Sequence, residues 1–269
     1  MPFWSRKRAD TAENYAFFSY GMTKCGSTLA FQITHTALME AGCPQPAIPF
    51  PGESGRRVNF IPQMSEGRES AIRAALSETG NPIVIKTHGR PTPRMVNWIE
   101  SGEGRGHAIF RDPRDMALSM LDHGRTARER NRPAFAEIHT LEDACKGIAN
   151  QLDSLTAWLQ LPGIAALQYD TLAFQTETAA QHILEQLGLG GNPRRIARRV
   201  LRSGKTLMNK GIASRYKTEM SPEISAAFLS RFRPFYDILL DKPDVALPLR
   251  PNTILYDPEA LAKPLPAAA

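Results

Sequence analysis

The ten residues Ser19-Tyr20-Gly21-Met22-Thr23-Lys24-Cys25-Gly26-Ser27-Thr28 constrain this chain more than any other stretch. They end an apolar, aromatic run from Ala16 to Ser19 that reads as a buried strand. They lead into an amphipathic pattern from Ser27 to about Ala41 that reads as a helix. A strand, a glycine-cornered turn and a helix in that order aim the free N–H groups of the helix start at one spot, which makes an anion site. Gly21 and Gly26 have the separation of the glycines in the nucleotide triphosphatase loop G-x-x-x-x-G-K-[ST]. Ser27, however, occupies the lysine position, and the lysine lies two residues before Gly26, as Lys24. From the crown of the loop Lys24 can reach the bridging atom of a bound anhydride. Ser27 and Thr28 offer hydroxyl and N–H groups to its phosphate. A kinase loop would need a Lys-[Ser/Thr] pair after Gly26 to hold magnesium, and none is present.

Two further elements end where this loop ends. Ala108-Ile109-Phe110 reads as a short buried strand running into Arg111-Asp112-Pro113-Arg114-Asp115-Met116-Ala117-Leu118-Ser119. Pro113 suits the first turn of a helix, with Asp112 as its N-cap. Arg111 then closes a strand, and Ser119 lies about two helical turns further on. An arginine and a hydroxyl so placed can grip one phosphate, the arginine through its planar fork. The competing reading is a salt-bridged helix start in which Arg111 pairs with Asp115. Between the two strands, Pro82-Ile83-Val84-Ile85 is a β-branched run that ends in the polar tip Lys86-Thr87-His88. In parallel α/β sheets ligands bind beyond the C-terminal strand ends, where this tip falls. Of the other histidines, His35 and His182 lie inside helical patterns and read as packing or surface residues. His107, His123 and His139 have no partner motif, although His123, just after the Ser119 helix, is placed to face a second substrate.

The order of elements is strand 16–20, helix 27–41, helix 66–78, strand 83–87, helix 92–101, strand 107–110 and helix 113–123. Helices over 134–160, 171–187, 192–203 and 221–232 follow, with a strand near 164–169 among them. This alternation predicts an α/β fold, a P-loop-like central parallel sheet flanked by helices on both faces. The 269 residues suit a single domain, with 1–14 and about 243–269 as peripheral tails, the latter packing along the surface and then fraying. The Pro/Gly-rich stretch from Gly42 to Gly55 is a long loop of the kind that walls a pocket.

These motifs in this order resemble the cytosolic-type sulfotransferases, in a bacterial-like form, that use 3′-phosphoadenosine 5′-phosphosulfate (PAPS). That family's 5′-phosphosulfate loop commonly reads P-K-[SA]-G-[TS]-T-W, matched by Thr23-Lys24-Cys25-Gly26-Ser27-Thr28-Leu29. Leu29 replaces a tryptophan that in many relatives stacks on adenine, so other side chains must complete that pocket. The family's R-x7-S element for the 3′-phosphate, often R-[DN]-P-x-D-x-x-x-S, is matched by Arg111, Asp112, Pro113, Asp115 and Ser119. Its K-[TS]-H element is matched by Lys86, Thr87 and His88. Tyr169-Asp170 is similar to the start of the family's Y-E-D-L segment, so Tyr169 is either an adenine contact or ordinary strand-end packing. Lys210 and Gly211 are similar to the loop that closes over the nucleotide, with Asn209 in place of its arginine, and a surface loop is the alternative there.

The resemblance runs from about Ala16 to Arg233. It implies transfer of the sulfuryl group of PAPS to an acceptor hydroxyl, or an amine, with release of 3′,5′-adenosine bisphosphate and no metal. His88 would be the general base. Lys24 and Lys86 would stabilise charge on the departing phosphate oxygen, with Ser119 restraining Lys24. Lys24, Cys25, Gly26, Ser27 and Thr28 would hold the 5′ side, Arg111 and Ser119 the 3′-phosphate, and Tyr169, Lys210 and Gly211 the rest of the nucleotide. The acceptor is open among a glycan, a phenol, a lipid headgroup and a secondary metabolite.

Composition fits this reading without selecting it. No run of about 18 apolar residues marks a membrane span. Arg6, Lys7 and Arg8 have no apolar stretch behind them resembling a secretion signal. Cys25, Cys43 and Cys145 lack metal-ligand spacing and read as free thiols, so a cytoplasmic location is expected. The net charge of +6 partly answers a polyanionic nucleotide. It also raises a rival, because Arg194, Arg195, Arg198, Arg199 and Arg202 recur at helical spacing and make a basic face. A non-catalytic nucleic-acid or nucleotide-binding protein using that face is one alternative, and a P-loop-type kinase with an aberrant loop is the other. No aromatic-interleaved RNA motif accompanies the arginines, so no nucleic acid is expected.

Overall fold

Four short strands meet side by side in the computed structural model, which describes residues 14–51, 58–204, 211–241 and 246–266. They are β1 (Ala16–Gly21), β2 (Ile83–Thr87), β3 (Gly104–Phe110) and β4 (Ile164–Gln168), paired in the order β2-β1-β3-β4, all parallel. Central β1 is buried at every position, which is why it is apolar and aromatic rather than alternating. Phe18 and Tyr20 pack against Trp158, at ring separations of 5.8 and 5.3 Å. Phe17 and Ser19 point the other way, toward the buried His107.

Helix α1 (Ser27–Glu40) covers β1 and β2. Then come α2 (Glu66–Thr79), α3 (Pro93–Glu100), α4 (Pro113–Glu129) and α5 (Leu141–Leu159). After β4 follow α6 (Tyr169–Phe174), α7 (Thr176–Leu187), α8 (Pro193–Arg202), α9 (Tyr216–Glu219), α10 (Pro222–Arg231), α11 (Arg233–Phe235), a π-helical turn over Tyr236–Leu240, and α12 (Pro258–Ala262). Helix α1 lies with α7 and α8, whereas α3 and α5 pack on β3 from the face that carries Trp98 and Trp158. The chain leaves β1 toward β2 and returns past it to β3, so its direction reverses at the β1–β3 junction. In open parallel sheets, that crevice outside the strand ends is where ligands bind.

The register makes the strand ends level. Tyr20 pairs with Thr87, Gly21 with Ile109, and Phe110 with Gln168. His88, the residues after Gly21, Arg111 and Tyr169 therefore emerge together along one edge.

Several elements differ from the sequence expectation. β3 begins at Gly104, before the predicted 107, because Gly106 lies where any Cβ would stand 2.3 Å from the carbonyl oxygen of Phe18. The predicted helix over 134–160 starts only at Leu141, where Thr140 and Asp143 form a reciprocal capping box. α4 runs on to Glu129, so His123 sits within that helix. The predicted helix over 171–187 is two helices, parted at Gln175, and the first begins directly at Tyr169. The C-terminal segment does more than lie along the surface. Leu249 and Leu255 join the core, Leu249 N–H donates to the Leu159 carbonyl at 2.8 Å, and Asp257 N–H donates to that of Arg231 at 2.7 Å. No helix of the described residues is long and apolar enough to cross a membrane.

Candidate active site

The loop between β1 and α1 is shaped by two left-handed residues, Lys24 with φ 65° and Gly26 with φ 75°. Gly26 is required twice over, since a Cβ there would also meet the Tyr169 ring at 2.9 Å. Gln151 on α5 clamps the loop crown by accepting from Thr23 N–H at 2.6 Å and Thr23 Oγ1 at 2.9 Å. No sequence signal singled out Gln151, which lies on the half-buried flank of a long helix. Cys25 is fully buried beneath the loop, and burial pushes its thiol well above the usual range. It therefore shapes the loop as a small apolar side chain and offers no nucleophile.

Lys86 and His88 reach the loop from the tip of β2. The Lys86 ammonium donates to Thr28 Oγ1 at 2.8 Å, and burial pulls its pKa down to about 8. His88 lies with Nδ1 2.7 Å from the Gly21 carbonyl oxygen. A carbonyl only accepts, so Nδ1 carries the hydrogen and Nε2 keeps its lone pair. Burial lowers the His88 pKa, and the neighbouring Lys86 charge lowers it further, against the opposing effect of the Gly21 bond. The imidazole is thus neutral near pH 7, with Nε2 able to take a proton. Phe60 stands 5.8 Å from its ring, held beside β2 by the bonds of Asn59 and Ile61 to the Lys86 backbone.

From β3, Arg111 enters almost wholly buried. Nη2 meets Asp115 Oδ2 at 3.2 Å, Nη1 the Lys24 carbonyl oxygen at 3.4 Å, and the guanidinium lies 4.0 Å from the Tyr169 ring centre. The ion pair with Asp115 is therefore real, yet it leaves Arg111 unsatisfied. Among the described residues, nothing meets its buried Nε. An arginine this deep with a donor left over is suited to a further anionic oxygen. Tyr169 is sandwiched between Arg111 and Gly26, so it packs the strand end and also stands at the site.

Asp115, Ser119 and His123 recur every four residues along α4 and so line one stripe that starts at Arg111. Ser119 is buried in that stripe. The Lys24 ammonium, expected beside Ser119, lies 3.3 Å from His123 Nδ1 instead, one turn further along. Burial lowers the Lys24 pKa, as does the Arg111 charge, while Asp122 acts in the opposite sense. Gly211 has the left-handed φ of 66°, and Lys210 lies outside the described residues.

The other candidates lie elsewhere. His107 is spent in the core, with Nε2 2.8 Å from Ser19 Oγ and Nδ1 3.3 Å from Gln186 Oε1, and burial pulls its pKa down to about 4. On α8, Arg195 and Arg199 pair with Glu40 at the far end of α1, at 2.8 and 3.5 Å. That basic face belongs to the opposite end of the helix layer from the phosphate loop.

No family model matches this sequence, and no curated protein matches it. Solved structures do. The mouse sulfotransferase SULT7A1, complexed with PAP, aligns over 84% of this chain and 85% of its own, with a TM-score of 0.53 and 15% identity. This chain has the sulfotransferase fold. Retinol dehydratase in complex with androsterone and the inactive cofactor PAP aligns over 90% of this chain and 84% of its own, with a TM-score of 0.49 and 14% identity. Within this fold, the glycine-cornered loop, Lys86, His88 and Arg111 lie together at the carboxyl ends of β1, β2 and β3.

Proposed function

We propose that this protein is a PAPS-dependent sulfotransferase, acting as a single domain in the cytoplasm, that moves a sulfuryl group to an acceptor hydroxyl or amine. The observation that carries the reading is the set of unspent groups at one sheet edge. His88 Nε2 is left free by the Nδ1–Gly21 bond, and Arg111 Nε has no partner among the described residues. They flank a loop whose Gly26 lets the Tyr169 ring close against its backbone, since a Cβ there would stand 2.9 Å from that ring. The residues fit the nucleotide. Ser27, Thr28 and the α1 N-terminus would take its 5′-phosphate, and Arg111 with Ser119 its 3′-phosphate. Tyr169, Lys210 and Gly211 would border the rest.

PAPS, when bound, supplies a sulfuryl group on a phosphate that is a good leaving group. His88 Nε2 would remove the proton of the acceptor as the acceptor oxygen or nitrogen bonds to sulfur. Lys24 and Lys86 would stabilise the negative charge left on the departing phosphate oxygen as its bond to sulfur breaks. Both act more strongly as that charge grows than before, which is how they raise turnover rather than only affinity. Lysine and arginine supply the positive charge that a metal provides in ATP-dependent phosphoryl transfer.

Incubation with sulfur-labelled PAPS, a strong chelator and a panel of phenols, glycans and alcohols tests the reading. Transfer of label to an acceptor, undiminished by the chelator, is expected. Tight binding of magnesium–ATP with phosphoryl transfer would replace it by a kinase.

A further inference from the structure

His123 contacts the phosphate loop although it lies beyond the end of the R-x7-S element. Its Nδ1 stands 3.3 Å from Lys24 Nζ. The same ammonium lies 5.8 Å from the Phe135 ring centre, and Phe135 meets the His123 ring edge-on at 4.9 Å. Lys24, His123 and Phe135 thus form a closed group of three at the mouth of the site.

Two of the three hold backbone conformations that large L residues rarely adopt, with φ 65° at Lys24 and φ 69° at Phe135. Such strain persists only where the surroundings enforce it, and it collects at ligand clamps and switches. Here the enforcement is visible. Arg128 on α4 donates to the carbonyl oxygens of Ala136 and Ile138, at 3.0 and 2.8 Å, which fastens the turn carrying Phe135 to the helix. Gly124 allows the approach, since a Cβ there would stand 2.6 Å from the Ile138 carbonyl oxygen and 2.7 Å from that of Phe135. The turn is therefore tied down so that Phe135 covers the Lys24–His123 contact. Burial lowers the His123 pKa, and the Lys24 and Arg132 charges lower it further, so the ring is neutral and its Nδ1 accepts.

We propose that His123 is a positioning residue that competes with the nucleotide for the Lys24 ammonium. In the free protein Nδ1 accepts from Lys24 Nζ under Phe135, and nucleotide binding must draw the ammonium off α4. The inference rests on the reading of Lys24 as a nucleotide ligand given above.

His123→Phe keeps a ring beneath Phe135 but removes the acceptor. His123→Asn keeps an acceptor, because its Oδ1 falls about where Nδ1 stands. Affinity for 3′,5′-adenosine bisphosphate should rise about three- to fivefold in His123→Phe, the range for a partly exposed pair, and stay at the wild-type value in His123→Asn. Acylation of Lys24 by a water-soluble succinimidyl ester, followed by mass spectrometry, supplies the second readout. Lys24 should label faster in His123→Phe than in wild type or His123→Asn, and saturating 3′,5′-adenosine bisphosphate should protect it in wild type. Equal labelling and equal affinity in all three proteins overturns the positioning role, and so does weaker binding by His123→Phe. If the bisphosphate fails to protect Lys24 while His123→Phe still labels faster, the contact stands. In that case the competition falls, and with it the nucleotide role of Lys24.

Discussion

Two buried arginines and two histidines set the carboxyl edge of the sheet apart from the rest of the molecule. Arg231, at the end of α10 and facing α5 and the C-terminal segment, gives both Nη groups to Glu142 at 3.0 Å and also donates to the Lys263 carbonyl oxygen. Arg111 is similarly buried, yet it holds one carboxylate oxygen, one distant carbonyl and the face of Tyr169, and its Nε meets no described residue. His107 spends both ring nitrogens on Ser19 and Gln186, whereas His88 spends Nδ1 on Gly21 and keeps Nε2. Burial alone does not separate a working residue from a structural one. Leftover hydrogen-bonding capacity is the ground on which we propose Arg111 and His88 as working residues, because an unmade buried bond costs free energy until a ligand completes it.

The comparison breaks most readily at the histidines. His88→Ala should reduce sulfuryl transfer by about 10²–10⁴-fold, the usual cost of losing a general base, with little change in nucleotide affinity. Wild-type turnover in that variant would make His88 as structural as His107.

The arginines come next. Wild type should prefer PAPS over adenosine 5′-phosphosulfate, which lacks the 3′-phosphate, because the latter leaves a buried charged donor of Arg111 unsatisfied beyond its Asp115 pair, at a cost of about 3 kcal/mol. Arg111→Ala should lose most of that preference in competition binding. Arg231→Ala should instead lower the unfolding midpoint and leave the preference intact. A folded Arg111→Ala protein that kept the full preference would put the 3′-phosphate elsewhere.

His107 sharpens the contrast through pH. Its folded pKa, about 4, lies below the ordinary value of 6.5, so the folded state binds fewer protons between those limits. Stability is complete above about pH 6.5 and falls as pH drops toward 4, by on the order of 3 kcal/mol. Urea unfolding at several pH values checks this, and His107→Gln should flatten that part of the curve. The smallest effect is that of Ser119→Ala, which should weaken 3′-phosphate recognition by one charged hydrogen bond, about 1.5–3 kcal/mol.

The parallel sheet was legible because β1, β2 and β4 are short apolar runs separated by helical periodicity, and because Gly26 and Pro113 mark where helices begin. The edge was legible because its residues follow strands directly. What stayed hidden depends on contacts between distant segments. The late start of α5 hangs on the capping box of Thr140 and Asp143, and the early start of β3 on how closely Gly106 approaches Phe18. Gln151 clamps the loop from 128 positions away. His123 had a signal in its spacing of four from Ser119, but its partnership with Lys24 depends on α4 running past the predicted end at 123, and on a strained turn at Phe135 that no residue type announces.

The central claim is that the edge is built to hold a nucleotide with a 3′-phosphate, without magnesium. Calorimetric titration in a strong chelator tests it with one ligand, 3′,5′-adenosine bisphosphate, and magnesium–ATP in chelator-free buffer is the control. The account predicts stoichiometric binding of the bisphosphate, unaffected by the chelator, and much weaker binding of magnesium–ATP. Tight, magnesium-dependent binding of ATP with none of the bisphosphate would contradict it.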